Sequence, residues 1–104
     1  MTRIAQFAKF TARSGCGQKV VEALEDALVS ADTEAGTQVY AIHRLEDDPD
    51  VVWMYELYAD AAARAAHSGS AATGALRAAV ADLLAEPLTV SRCLVGPEFG
   101  LPAT

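Results

Sequence analysis

Val51-Val52-Trp53-Met54-Tyr55-Glu56-Leu57-Tyr58 is the segment on which the fold turns. Its β-branched and aromatic residues predict a strand, running from Val51 to Ala59. The strand does not alternate apolar with polar. By the period of two, Val51, Trp53, Tyr55 and Leu57 share one face, and Val52, Met54, Glu56 and Tyr58 share the other. A strand apolar on both faces needs cover on both. Helices of the same chain can supply one cover, and a second copy of the chain is the simplest source of the other. The segment therefore predicts a layered sheet and a homodimer.

Upstream of it, Thr37 to Leu45 reads as a partner strand. The acidic Glu46-Asp47-Asp48-Pro49-Asp50 stretch between them is a turn, since Asp and Pro favour one. Arg3 to Ala12 reads as a first strand, with Phe7 and Phe10 on opposite faces, and Ser14-Gly15-Cys16-Gly17 breaks it. From Gln18 to Ala31 the apolar residues Val20, Val21, Leu24, Ala27 and Leu28 recur at helical spacing, opposite Glu22, Glu25 and Asp26. Downstream, Asp60 is placed to cap a short helix ending near His67, and Ser70 to cap a second over Ala71 to Leu84. Pro87 closes that helix, and Leu88 to Val95 forms a last strand. The order is β-α-β-β-α-β with the second helix broken in two. This is a ferredoxin-like α+β arrangement with a four-stranded antiparallel sheet. One domain spans residues 1–104, with a core over about 3–95 and an irregular tail over 96–104.

Composition narrows the function. The net charge is −6, and the 8 lysines and arginines are scattered singly, which argues against nucleic-acid binding. Apolar runs are too short to span a membrane, and the N-terminal residues lack a signal-peptide core. A cytoplasmic protein is expected. Cys16 and Cys93 lack CxxC spacing and the histidines lack HxxH or HxxxH spacing, so no metal is expected and the thiols read as reduced.

Several short motifs in a fixed order add a resemblance. Lys9-Phe10-Thr11-Ala12, a helix, then Glu34-Ala35-Gly36 ahead of Tyr40 form the first part. Tyr55-Glu56-Leu57-Tyr58 with Asp60, then Ala66-His67 and Ser70, form the second. From about Arg3 to Val95 the chain resembles the antibiotic biosynthesis monooxygenase family. The resemblance implies a dimeric α/β barrel, in which two sheets pack face to face and each subunit holds a pocket between sheet and helices. Members of known chemistry include cofactor-independent oxygenases of anthrones or quinols, heme-degrading enzymes and proteins that handle signalling molecules. The chain contains no asparagine, whereas several oxygenases of the family place one near the substrate. Gln6, Ala8 and Lys9 stand on the first strand instead. The position of the heme ligand reads Thr73-Gly74-Ala75-Leu76, which argues against heme, and no cofactor is expected.

The polar aromatics Tyr40, His43, Trp53, Tyr55, Tyr58 and His67 are concentrated in mid-chain, as in a ligand cavity or a dimer interface. His67 is the candidate catalytic residue. The family motif places a histidine there, and a neutral imidazole can take a proton from a phenol or anthrone. The competing reading is a histidine packed at a helix end on a backbone carbonyl. Glu56 is expensive to bury alone, so it pairs locally, with Arg44 or His67, or lines the pocket with Tyr58. Tyr40 and Arg44 share a strand face and could orient a substrate oxygen, and Trp53 could stack on its ring. Trp53 and Glu56 face opposite ways, so one pocket cannot take both, and the sequence leaves open which face lines it. The expected function is a cofactor-independent monooxygenase acting with O2 on a small electron-rich aromatic of quinol or anthrone type. The alternatives are a non-catalytic small-molecule-binding or structural dimeric module, and an isomerase or lyase of a small metabolite.

Overall fold

A computed structural model describes residues 2–103. The elements follow in the order β1 (Ile4–Thr11), α1 (Gly17–Ala31), β2 (Thr37–Leu45), β3 (Asp48–Tyr58), α2 (Ala61–Ser68), α3 (Ala71–Val80) and β4 (Thr89–Leu94). The strands form one four-stranded sheet in the order β2-β3-β1-β4, and every neighbouring pair is antiparallel. This is the ferredoxin-like arrangement expected. β1 and β3 occupy the centre, where both edges of each strand are hydrogen-bonded.

The helices cover one face. Val20 and Leu24 of α1 are fully buried and pack with Phe10, Val52 and Met54 of the central strands, so the main core lies between α1 and the sheet. Asp60 and Ser70 cap α2 and α3 as their positions predict: Asp60 Oδ1 accepts from Ala63 N at 2.8 Å, and Ser70 Oγ accepts from Thr73 N at 3.2 Å. The start of α1 is held differently. Cys16, at its N-cap, makes no side-chain cap bond, and the Asp50 carboxylate on β3 accepts from Gly15 N at 3.0 Å and Gly17 N at 2.9 Å instead. Those two backbone donors hold the Asp50 carboxyl below the usual carboxylate range.

Two expected boundaries move. The Glu46–Asp50 turn shrinks to Glu46-Asp47, and β3 begins at Asp48. A register shift after Arg44 accommodates Pro49, whose carbonyl accepts from the Arg44 guanidinium at 2.9 and 3.2 Å. The α3 helix stops at Val80 rather than Leu84. Beyond it, Leu83 O accepts from Arg13 N at 2.7 Å and Ala85 N donates to Thr11 O at 2.8 Å, extending the end of β1 in place of another helical turn.

The opposite sheet face carries no helix. Phe7 and Trp53 keep 39 % of their surface exposed although both lie on central strands. Phe7 and Tyr55 rings lie 5.4 Å apart, and the Lys9 ammonium sits 5.6 Å from the Trp53 ring centre.

Candidate functional site

One row of cross-strand neighbours organises the helix-covered face. Tyr40 on β2, Glu56 on β3, Gln6 on β1 and Arg92 on β4 stand side by side, one residue from each strand. Adjacent strands lie about 4.8 Å apart, so the row spans about 14 Å at Cα level. Its side chains are linked. Arg92 Nε donates to Gln6 Oε1 at 3.0 Å, and Gln6 Nε2 donates to Glu56 Oε1 at 3.1 Å. The Tyr58 hydroxyl donates to the same carboxylate oxygen. Gln6, Glu56 and His67 are all buried, and among the described residues no buried side-chain polar atom lacks a partner.

His67 meets this row from the last turn of α2. Its Nε2 lies 3.6 Å from Glu56 Oε1, and its Nδ1 lies 2.8 Å from Glu34 Oε1. The rings of Tyr40 and Tyr58 each have their centres 5.3 Å from that of His67. Both ring nitrogens thus address carboxylates, not the backbone carbonyl that a helix-end packing role calls for. Glu34 is itself fixed by Thr37 Oγ1, which donates to it at 2.6 Å. Gly36 explains how the loop comes so close: a Cβ there would stand 2.4 Å from Ala63 Cβ on α2. The spacing of Glu34 and Gly36 therefore sets a carboxylate against His67.

Burial, reinforced by the Glu56 and Glu34 carboxylates, pushes the Tyr40 phenol well above its ordinary range. Burial and the Glu56 carboxylate, which also accepts its hydrogen bond, do the same to Tyr58. Both tyrosines are held as neutral donors.

Beside this network lies a cavity of about 70 Å³. Its floor is made by Gln6, Ala8, Met54 and Glu56, and its roof by His67, Thr73, Leu76 and Val80. Ala8 matters here, because a small side chain at the sheet centre leaves room that a larger one would fill. On the β4 side the cavity is bounded by Val90 and Arg92, both exposed. Among the described residues no three His, Cys, Asp or Glu side chains are grouped to hold a metal ion, and no helix is long and apolar enough to cross a membrane.

Of the residues singled out in the sequence, the structure brings Tyr40, Glu56, Tyr58 and His67 together. It does not bring Arg44 or Trp53. Arg44 shares the face of Tyr40, but four residues along a strand carry it about 13 Å away, where it bonds Gln18 Oε1 at 2.9 Å and the Pro49 carbonyl. Glu56 accordingly pairs with His67 and not with Arg44. Trp53 lies on the uncovered face, so the placing of Arg44 and Trp53 in the pocket is corrected. Gln6, Glu34, Thr73, Arg77 and Arg92 join the site. Glu34 was visible as a motif residue and Gln6 only as a first-strand residue standing in the absence of an asparagine, whereas nothing in the sequence singles out either arginine.

The family model described as antibiotic biosynthesis monooxygenase matches residues 3–81. The chain belongs to this family. Among solved structures, a protein of unknown function from Nitrosomonas europaea, NE2512, is 29 % identical, with a TM-score of 0.85 over 100 % of this chain and 98 % of that one. Rv0793 from Mycobacterium tuberculosis is 23 % identical, with a TM-score of 0.87 over 94 % of this chain and 99 % of that one. PA3566 from Pseudomonas aeruginosa is 21 % identical, with a TM-score of 0.85 over 93 % and 97 % of the two chains. At such identities the last two speak for the fold alone. No curated protein matches the sequence significantly. Membership of the antibiotic biosynthesis monooxygenase family supports a monooxygenase-type role.

Proposed function

We propose that this family member is a cofactor-independent monooxygenase of a small electron-rich aromatic, with His67 as the base. The observation that carries the reading is the buried imidazole hydrogen-bonded through Nδ1 to Glu34, with Nε2 3.6 Å from Glu56 and outside hydrogen-bond reach of it. When Glu34 accepts from Nδ1–H, the unprotonated Nε2 is directed to the cavity side, beside Glu56. A phenol or a doubly benzylic methylene seated against Nε2 loses a proton there. The resulting anion passes an electron to O2, and the radical pair combines at carbon. Loss of water then leaves a ketone or quinone. For an anthrone-type centre, one ring methylene and one O2 give one ring carbonyl and one water. Each product takes one oxygen atom, and the substrate is the only reductant. The chain supplies a base, the neutral donor Tyr40, and exclusion of water.

Two further parts of the reading concern the setting. The face with exposed Phe7 and Trp53 beside half-buried Tyr55 supports a homodimer closed sheet to sheet, and the free thiols of Cys16 and Cys93 suit a cytoplasmic protein.

Oxygen uptake by metal-stripped protein over a panel of hydroquinones and anthrones tests the chemistry. Uptake above the uncatalysed rate is expected, falling about 10²- to 10⁴-fold in a folded His67→Ala variant. Equal uptake by the variant removes His67 as the base, and no uptake with any compound overturns the oxygenase reading.

A further inference from the structure

We propose that the ligand of this cleft is an aromatic acid, its carboxylate held between Arg77 of α3 and Arg92 of β4. The inference rests on the cavity being the substrate site, and it adds the charge and the orientation of the substrate.

The first observation is convergence. In a chain with 14 acidic residues against 8 basic ones, two arginines from separate elements, Arg77 and Arg92, line the same small cavity. The second is that neither is neutralised. Arg3 reaches Glu98 at 3.6 Å, but among the described residues no carboxylate lies within ion-pair distance of Arg77 or Arg92. Arg92 spends its Nε–H on Gln6 Oε1 at 3.0 Å, which fixes the guanidinium plane and leaves the two terminal nitrogens to act as a fork. The third is the shape of the cleft. The α3 helix packs chiefly on α1, while β4 lies at the sheet edge with every residue exposed. A gap between α3 and β4 is left as the entrance, with an arginine on each rim.

Charge is divided along the cavity. Glu34 and Glu56 flank His67, so a permanent carboxylate is disfavoured there, whereas a neutral hydroxyl gives its proton to the imidazole as it ionises. Ala8, Val90, Leu76 and Val80 give the cavity its apolar lining, and Arg77 and Arg92 line it with them. A flat ring with a carboxylate on one side and a hydroxyl on the other fits only one way round. The carboxylate sits on the arginines and the hydroxyl against His67. The same Arg92 orients Gln6, whose amide then donates to Glu56, so seating the anion bears directly on the groups around the base.

Calorimetric titration with 2,5-dihydroxybenzoate and with its uncharged isostere 2,5-dihydroxybenzamide tests the assignment without any need for turnover. The carboxylate is expected to bind about tenfold more tightly, the scale of one charge-assisted hydrogen-bonded contact. The preference should weaken with added salt, shrink in Arg77→Gln and vanish in Arg77→Gln/Arg92→Gln. Arg77→Gln touches no bonded partner, so it reads the charge alone if the double variant does not fold. Equal binding of the two compounds, tighter binding of the amide, a preference unchanged in Arg77→Gln, or no binding of either overturns the proposal. Selective carboxylate binding with no oxygen uptake would keep this assignment and sink only the oxygenase reading.

Discussion

Tyr58 and Trp53 stand five residues apart on β3, and each is a large aromatic with one polar tip. Their surroundings differ completely. Tyr58 is fully buried, its hydroxyl bonded to Glu56 and its ring against His67. Trp53 is 39 % exposed, and the Lys9 ammonium on the adjacent strand lies over its ring. One face of the strand has assembled a closed polar network, and the other presents apolar surface at Trp53 that no helix covers. Aromatic content alone does not mark a site. A carboxylate buried among the aromatics does, because it must be met by donors, here the Tyr58 hydroxyl and the Gln6 amide.

The sharpest way to break that contrast is Glu56→Leu. It leaves the Gln6 amide and the Tyr58 hydroxyl buried without their acceptor, and an unfolding titration should lose about 3 kcal/mol. A change below about 1 kcal/mol would mean that the network is not a structural unit. Tyr58→Phe is milder, at about 1–2 kcal/mol, since Glu56 keeps its bond from Gln6. This variant also carries a pH signature. The folded state keeps Tyr58 and Tyr40 protonated above their ordinary range near 10, so the folded state binds more protons than the unfolded one once pH exceeds that value. Stability is therefore full below about pH 10 and falls as pH rises beyond it. Thermal melts should show a shallower alkaline decline in Tyr58→Phe than in the wild type. Trp53→Asp should have the smallest effect on subunit stability, within about 0.5 kcal/mol for an exposed site. Its effect should fall on association: sedimentation is expected to give a dimer for the wild type and a monomer for Trp53→Asp. A monomeric wild type would remove the sheet-to-sheet assembly from the proposed function.

The architecture was legible because its signals are local. The double apolar face of β3, the amphipathic spacing of α1 and the caps at Asp60 and Ser70 each depend on a few adjacent residues. The end of α3 was not legible. Leu83 and Leu84 continue the helical period, and only the backbone groups of Thr11 and Arg13, about 70 positions away, explain why the chain leaves the helix. The site divides in the same manner. Glu56 and His67 stood out because a lone acid and a lone histidine among apolar residues need partners. Arg92 and Arg77 are ordinary surface charges until the strand order sets β4 beside β1 and α3 above the gap. Arg44 and Trp53 were misplaced for a related reason. Period-two spacing tells which face a residue occupies, but not how far along the strand the cavity extends or which face the helices take.

The capping of α1 by Asp50 reaches into the order in which the chain can assemble. A helix that borrows its cap from a strand more than 30 positions later cannot complete its first turn by itself. Gly17 sharpens the requirement, since a Cβ there would lie 2.1 Å from the Pro49 carbonyl oxygen, so the helix start and the β2–β3 hairpin must close on each other almost without clearance. Early helical structure in α1 will therefore begin in its middle, around Leu24. Its N-terminal turn will lock only as the hairpin docks, coupling a local element to a long-range contact in one cooperative folding event.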